Sequence, residues 1–272
     1  MRRLLEAAGE ADRALAPPSS APQEIQNLLI EATVGASEHP LDDGTALGAI
    51  GINYGGPAPI ESPFDYQVGA DITKREGNRL DIHIASGLSL RDRGFVRAVP
   101  SLGEALWGAG LFFDYFRTRE DTDLFALRGT VGISLPTRHH IAWRGRFPLN
   151  TDEILEDGTA SADEKVLLRN DLVWGVDFTD RVAGELTLGY LSGDVDEPVF
   201  GVRLGFSTDN KISLIPSIEV TADGDYAATF LIRYEFSDHK VPALITRYVT
   251  QGPRDHTPFP LRGLSELVLE TR

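Results

Sequence analysis

The sequence predicts an all-β fold, an antiparallel up-and-down β-barrel of about 10–12 strands. Three observations predict it. Apolar and polar residues alternate with period two through most of the chain. No helical pattern separates the alternating stretches, so consecutive strands must meet as an antiparallel meander. Each stretch also divides into an aromatic-rich apolar face and a face carrying charge and glycine. Residues 226–236 show this most clearly: Tyr226, Ala228, Phe230, Ile232, Tyr234 and Phe236 fall on one face, and Ala227, Thr229, Leu231, Arg233 and Glu235 on the other. The stretch has the length of a tilted membrane strand, ~9–11 residues.

Composition narrows the function classes. The 272 residues are 42% hydrophobic and 25% charged, ordinary for a folded protein. No run of ~18 apolar residues is present, so no helix is expected to cross a membrane. A net charge of -15 argues against nucleic acid, whose phosphates require a basic surface. Zero Cys excludes disulfides and thiolate metal sites. The 27 Gly and single Met suit a sheet protein with many turns.

Residues 1–44 read as a loosely ordered N-terminal leader with room for one short amphipathic helix. Glu6, Glu10, Asp12 and Arg13 interrupt the apolar core that a standard signal peptide would have. A mis-chosen start or a displaced signal is the alternative. From residue 45 to 250 the sequence reads as barrel, and 251–272 as a C-terminal tail.

The strands follow in order. Residues 46–53 are a weak first candidate. Tyr66, Val68, Ala70 and Ile72 then alternate with Gln67, Gly69, Asp71 and Thr73; Leu80, Ile82, Ile84, Leu88 and Leu90 oppose Asp81, His83, Ala85 and Ser89. Trp107, Ala109, Leu111, Phe113 and Tyr115 face away from Gly108, Gly110 and Asp114, and Phe125, Leu127, Val131 and Ile133 away from Arg128 and Thr130. Ile141, Trp143, Phe147 and Leu149 oppose Arg144 and Arg146; Leu172, Trp174, Val176 and Phe178 oppose Asp171 and Asp177. Leu186, Leu188 and Tyr190 oppose Glu185, Phe200, Val202, Leu204 and Phe206 oppose Arg203, and Ile218 and Val220 oppose Glu219. Tight connections at 136–138, 179–181 and 207–210 alternate with longer acidic ones at 151–165 and 192–198, as expected when one end of a membrane barrel carries short turns and the other longer loops. Residues 222–225 are only modestly long, and 91–105 break that pattern.

Chemistry decides which face is wet. Turned inward, Trp107, Phe113, Trp143, Trp174, Tyr190, Phe200, Phe206, Phe230 and Phe236 would crowd a single small lumen. Turned outward they make a lipid-facing band. Asp81, Asp114, Arg128, Arg144, Arg146, Asp171, Glu185, Arg203, Glu219 and Arg233 then point into the lumen, where opposite charges pair or stay hydrated. The prediction is therefore a transmembrane barrel, with glycines at 108, 110, 132, 175, 189, 201 and 205 relieving crowding on the inner face.

On these residues, the stretch 46–236 resembles bacterial outer-membrane β-barrels of the porin-like type. YAATFLIRYEF at 226–236 looks like their assembly signal, although here 36 residues follow the final aromatic. WGAGLFFDY through WRGRFPL, within 107–149, is loosely similar to inverse-autotransporter barrel domains. The resemblance implies residence in the outer-membrane bilayer, dependence on the barrel assembly machinery and passage of small solutes or ions. Residues 241–250, VPALITRYVT, are a candidate closing strand; the alternative is a plug or tail, followed by Leu261, Leu264, Leu267 and Val268 at helical spacing.

Catalytic and metal readings are weaker. His83 and Ser86 superficially resemble the base and nucleophile of outer-membrane lipid hydrolases, but odd spacing puts them on opposite strand faces. Asp81 and His83 share a face without an identifiable serine. His139 and His140 read as interfacial polar residues, and the acidic runs at 152–157 and 194–197 lack the ligand spacing of a calcium loop. The sequence thus points to a non-enzymatic outer-membrane barrel with no cofactor and no metal, acting in passive passage of small solutes or structurally. The alternatives are a soluble all-β barrel or sandwich that binds through its loops, and an outer-membrane lipid hydrolase.

Overall fold

A computed structural model describes residues 27–39, 42–57, 64–74, 80–90, 95–96, 105–117, 122–135, 138–156, 159–165, 168–179, 181–192, 196–208, 211–236 and 268–271. Twelve strands close into one antiparallel ring: β1 (Asn27–His39), β2 (Asp42–Pro57), β3 (Phe64–Lys74), β4 (Leu80–Leu90), β6 (Ala105–Arg117), β7 (Asp123–Ser134), β8 (His139–Pro148), β11 (Leu168–Asp177), β12 (Val182–Ser192), β13 (Glu197–Thr208), β14 (Ile212–Thr221) and β15 (Tyr226–Glu235). The two-residue β5 (Phe95–Val96) folds back onto the start of β6, pairing Phe95 with Leu106. Apart from that fold-back, β4 pairs directly with β6, so each ring strand lies beside its neighbours in sequence.

The ring closes where β1 pairs with β15, from Leu29 opposite Glu235 to Glu38 opposite Tyr226. Just past this seam, the Phe236 amide donates to the Leu28 carbonyl at 3.0 Å. This corrects the leader boundary, because residues 27–39 and 42–44 belong to strands rather than to a loose leader or helix. The signal was present: Leu29, Glu31 and Thr33 alternate with Ile30, Ala32 and Val34, but small residues and charge weaken the contrast that marks a strand. The count of twelve is reached through β1, whereas 241–250, the candidate closing strand, lies outside the described residues.

Alternation sorts the side chains onto two surfaces. The outer one is continuous and apolar, with Val34, Ile50, Val68, Ile84, Leu111, Val131, Leu172, Leu188, Val202 and Ile218 all exposed. Aromatics gather on it at both rims. Tyr54, Tyr66, Phe178, Phe206, Tyr234 and Phe236 lie at the end where β1 starts and β15 finishes; Tyr115, Phe125, Phe147, Tyr190 and Tyr226 lie at the other. Tyr54 and Tyr66 pack with centroids 5.8 Å apart, Tyr234 and Phe236 edge to face at 4.7 Å. An apolar belt between two aromatic girdles is the surface a bilayer selects, since amphipathic rings settle at headgroup depth.

The connections correct two expectations. Residues 151–165, read as a loop, form the hairpin β9 (Thr151–Glu156) and β10 (Thr159–Lys165), joined by β16 (Val268–Thr271) from the expected tail into a separate three-stranded sheet. Residues 192–198 shrink to a connection at 193–196, because Ser192, Glu197 and Pro198 are already in strands. Short turns therefore occur at both ends, including Thr221 to Asp225 with Gly224 at φ 99°, and the long-and-short alternation does not hold.

The two faces should respond oppositely to charge. Leu204→Arg places a guanidinium on the outer belt, at a cost of ~2–4 kcal/mol if near mid-bilayer, whereas Arg203→Ser alters a half-buried inner position. Folding into lipid vesicles, followed by the mobility shift on heating in SDS, should show loss of folded yield for Leu204→Arg and near-normal yield for Arg203→Ser.

Candidate functional site

The inner surface of the ring is where charge collects, because each strand turns every second residue inward and these positions hold most of the ionisable groups. Asp81, Asp114, Arg128, Arg144, Arg146, Asp171, Glu185, Glu219 and Arg233 are buried, and Arg203 is half-buried. Buried charge is tolerable only when it is paired and hydrogen-bonded. Among the described residues four ionic groups stand out on the inner face.

The first joins β3, β4, β6 and β7. Arg128 donates to both oxygens of Asp114, Nε to Oδ2 at 3.1 Å and Nη2 to Oδ1 at 3.0 Å. The guanidinium also lies 5.1 Å above the Phe112 ring. His83 sits between two carboxylates, Nδ1 at 2.8 Å from Asp71 Oδ2 and Nε2 at 3.3 Å from Asp114 Oδ1, with its ring stacked on Phe116 at 4.7 Å. Both ring nitrogens are thus engaged by carboxylates, and Ser86 is exposed on the opposite face.

The other three lie around β8 to β15 and β1. Arg144 makes a two-pronged bond to Glu185, 3.0 Å to Oε1 and 3.2 Å to Oε2, with Arg203 at 3.5 Å from the same carboxylate. Arg169 holds Asp171 through Nε at 2.8 and 2.9 Å, and Glu219 through Nη1 and Nη2 at 2.9 Å each. Arg233 pairs with Glu31 across the closing seam. Because β12 and β13 stand between β11 and β14 in the ring, the Arg169 clamp passes over their inner faces. Glycines there make room: a Cβ at Gly201 would approach Glu219 Cγ to 3.3 Å, and one at Gly189 would collide with Asp171 Oδ1. At these two positions glycine leaves space for a neighbour's side chain, a more local role than strand curvature.

Apolar side chains fill further parts of the interior. Phe112, Phe116, Leu124, Leu191, Ile215 and Leu231 are fully buried on the inner face, in clusters such as Phe116, Leu124 and Ala126 or Ala183, Ile215 and Leu231. Gly87 admits the Phe112 ring, which a Cβ would strike. Among the described residues no group of His, Asp and Glu converges to hold a metal ion.

Eight of the ten residues expected from the sequence fall among these groups, Asp81 and Arg146 are buried on the same face outside them, and the expected set is incomplete. Glu31 was hidden in the expected leader, and Arg169 lies two residues before Asp171 on the same face, so continuing that alternation backward would have found it. Asp71, Asp177 and Glu235 share the inner parity, while His83 was weighed only as a catalytic base.

The chain matches no protein family and no curated protein by sequence. Solved structures match in fold. A membrane-protein structure from work on in-meso crystallization has a TM-score of 0.57 at 9% identity, covering 90% of this chain and 100% of the other. An outer membrane channel from Pseudomonas putida F1 has a TM-score of 0.53 at 8% identity, covering 82% and 100%. The KdgM porin has a TM-score of 0.52 at 8% identity, covering 76% and 98%. The protein therefore has the fold of an outer-membrane β-barrel, closed with twelve strands, which rests on shape because identity is so low.

Removing the hub of a buried ionic group should cost far more than removing the whole group. Arg169→Met leaves Asp171 and Glu219 facing each other and should destabilise by about 3–5 kcal/mol, whereas adding Asp171→Asn and Glu219→Gln should recover most of it. Urea unfolding midpoints in lipid vesicles measure both.

Proposed function

We propose that the protein resides in the outer membrane and lets small solutes or ions pass passively through a narrow lumen. The observation that carries this reading is the inside-out distribution of polarity: a continuous apolar belt between aromatic girdles outside, and paired charges inside. A soluble barrel or sandwich would bury the face that is exposed here. The KdgM porin, whose fold is similar, is also described in complex with disordered oligogalacturonate, which supports solute passage as the role of a barrel built this way. A purely structural role is the second reading, favoured by the filled interior around Phe112, Phe116 and Leu231.

No enzymatic role is proposed, since His83 is held between carboxylates and Ser86 faces away. Alternating residues 226–236, ending on Phe236, support delivery by the outer-membrane barrel assembly machinery. The ten charged residues from Asp81 to Arg233 are proposed as the lumen lining that solutes meet.

Eight strands leave an interior just filled by side chains, and sixteen to eighteen an open channel, so twelve crossed by ionic clamps should conduct weakly. Planar-bilayer recording should give a small conductance, and fractionation should place the protein with outer membrane. A large, unselective conductance would mean that the clamps do not span the lumen; no conductance at all would leave the structural role.

A further inference from the structure

The inner face carries more acid than base, and the excess is not evenly spread. Arg128, Arg144, Arg203, Arg169 and Arg233 are matched by Asp114, Glu185, Asp171, Glu219 and Glu31 through the contacts above. With those groups set aside as neutral, the inner positions of the described strands hold Asp71, Asp81, Asp177, Glu197 and Glu235 against Arg146 and the histidines. Arginines already clamped by carboxylates offer a passing anion little, whereas acidic excess lowers the energy of a cation throughout the lumen.

Several buried polar atoms on this face make no hydrogen bond, and two of them stand together on β3. Thr73 is completely buried and its hydroxyl has no hydrogen-bond partner, and Asp71 Oδ1, two residues away on the same face of β3, is likewise buried without one. Asp71 uses its other oxygen for His83. The register sets Thr73 opposite Asp81 and Asp71 opposite His83, so a further carboxylate stands beside the two unsatisfied oxygens. Gly51, opposite Asp71 on β2, keeps the space tight but open: a Cβ there would come within 3.1 Å of Asp71 Cβ. A buried carboxylate oxygen and hydroxyl without donors cost free energy unless something binds them.

We infer that the barrel selects monovalent cations over anions, and that Asp71 Oδ1 and Thr73 Oγ1 hold a partly hydrated cation on its way through the lumen. This inference rests on the passage reading. One carboxylate oxygen and one hydroxyl are too few donors for a tight metal site, in keeping with transit rather than storage.

Reversal potentials of the full chain in planar bilayers, under a tenfold KCl gradient, test this. Unmodified protein should prefer potassium over chloride by about fivefold or more, and Asp71→Asn and Thr73→Val should each lower the ratio by about twofold or more. Asp223→Asn, in the exposed turn before β15, should leave it unchanged. Heat-shift mobility reports whether each variant is folded; if Asp71→Asn is not, Thr73→Val, which alters no charge, decides. Chloride preference or no preference in unmodified protein overturns the inference while leaving passage intact. Unchanged selectivity in the folded variants overturns the assignment to Asp71 and Thr73. Absence of current overturns the passage reading, and the inference with it.

Discussion

Everything in this molecule depends on one backbone constraint: no strand on the bilayer side can leave its amides and carbonyls unpaired. Hydrocarbon offers no water to replace a missing hydrogen bond, so a sheet there must have no edge. The β1–β15 seam meets that requirement, pairing the first described strand with the last ring strand along most of their length. Without it β15 would be an edge strand with the assembly-like alternation of 226–236 on its outer face. The N-terminal residues 27–39 are therefore as structural as any in the chain.

Closure also fixes where charge can go. Once the ring has an inside and an outside, the period-two pattern places one half of every strand on the apolar outer surface, leaving the other half to hold most of the strands' ionisable side chains. Their burial then demands partners, and these come from different strands: Arg144 of β8 reaches Glu185 of β12, and Arg169 of β11 reaches Glu219 of β14. Such pairs are poor evidence of net stability, because desolvation offsets much of the attraction. Their clear consequence is geometric, since these bonds lay side chains over the inner faces of the strands between the partners.

Polar and apolar contents of the interior divide the work. Phe112 packs against Arg128 and Phe116 against His83, so aromatic rings wall off one ionic group, and Phe116 at the same time joins Leu124 and Ala126 in an apolar cluster. Inner glycines such as Gly189 and Gly201 are the counterpart: they leave out side chains where a neighbour's carboxylate must lie. The interior is thus fitted locally, strand against strand, and its electrostatics follow from those fits.

The sequence by itself determined the fold class, the face on which each strand residue lies and the outward aromatic belt, because period-two alternation is a local property that needs no knowledge of neighbours. It determined most of the charged interior for the same reason. Tertiary structure alone decided that residues 27–39 close the ring, that 151–156 pair with 159–165 and Ala162–Lys165 with Val268–Thr271, and which carboxylate each arginine meets. Pairing between residues as distant as Glu31 and Arg233 depends on barrel closure and register, and neither leaves a trace in local pattern.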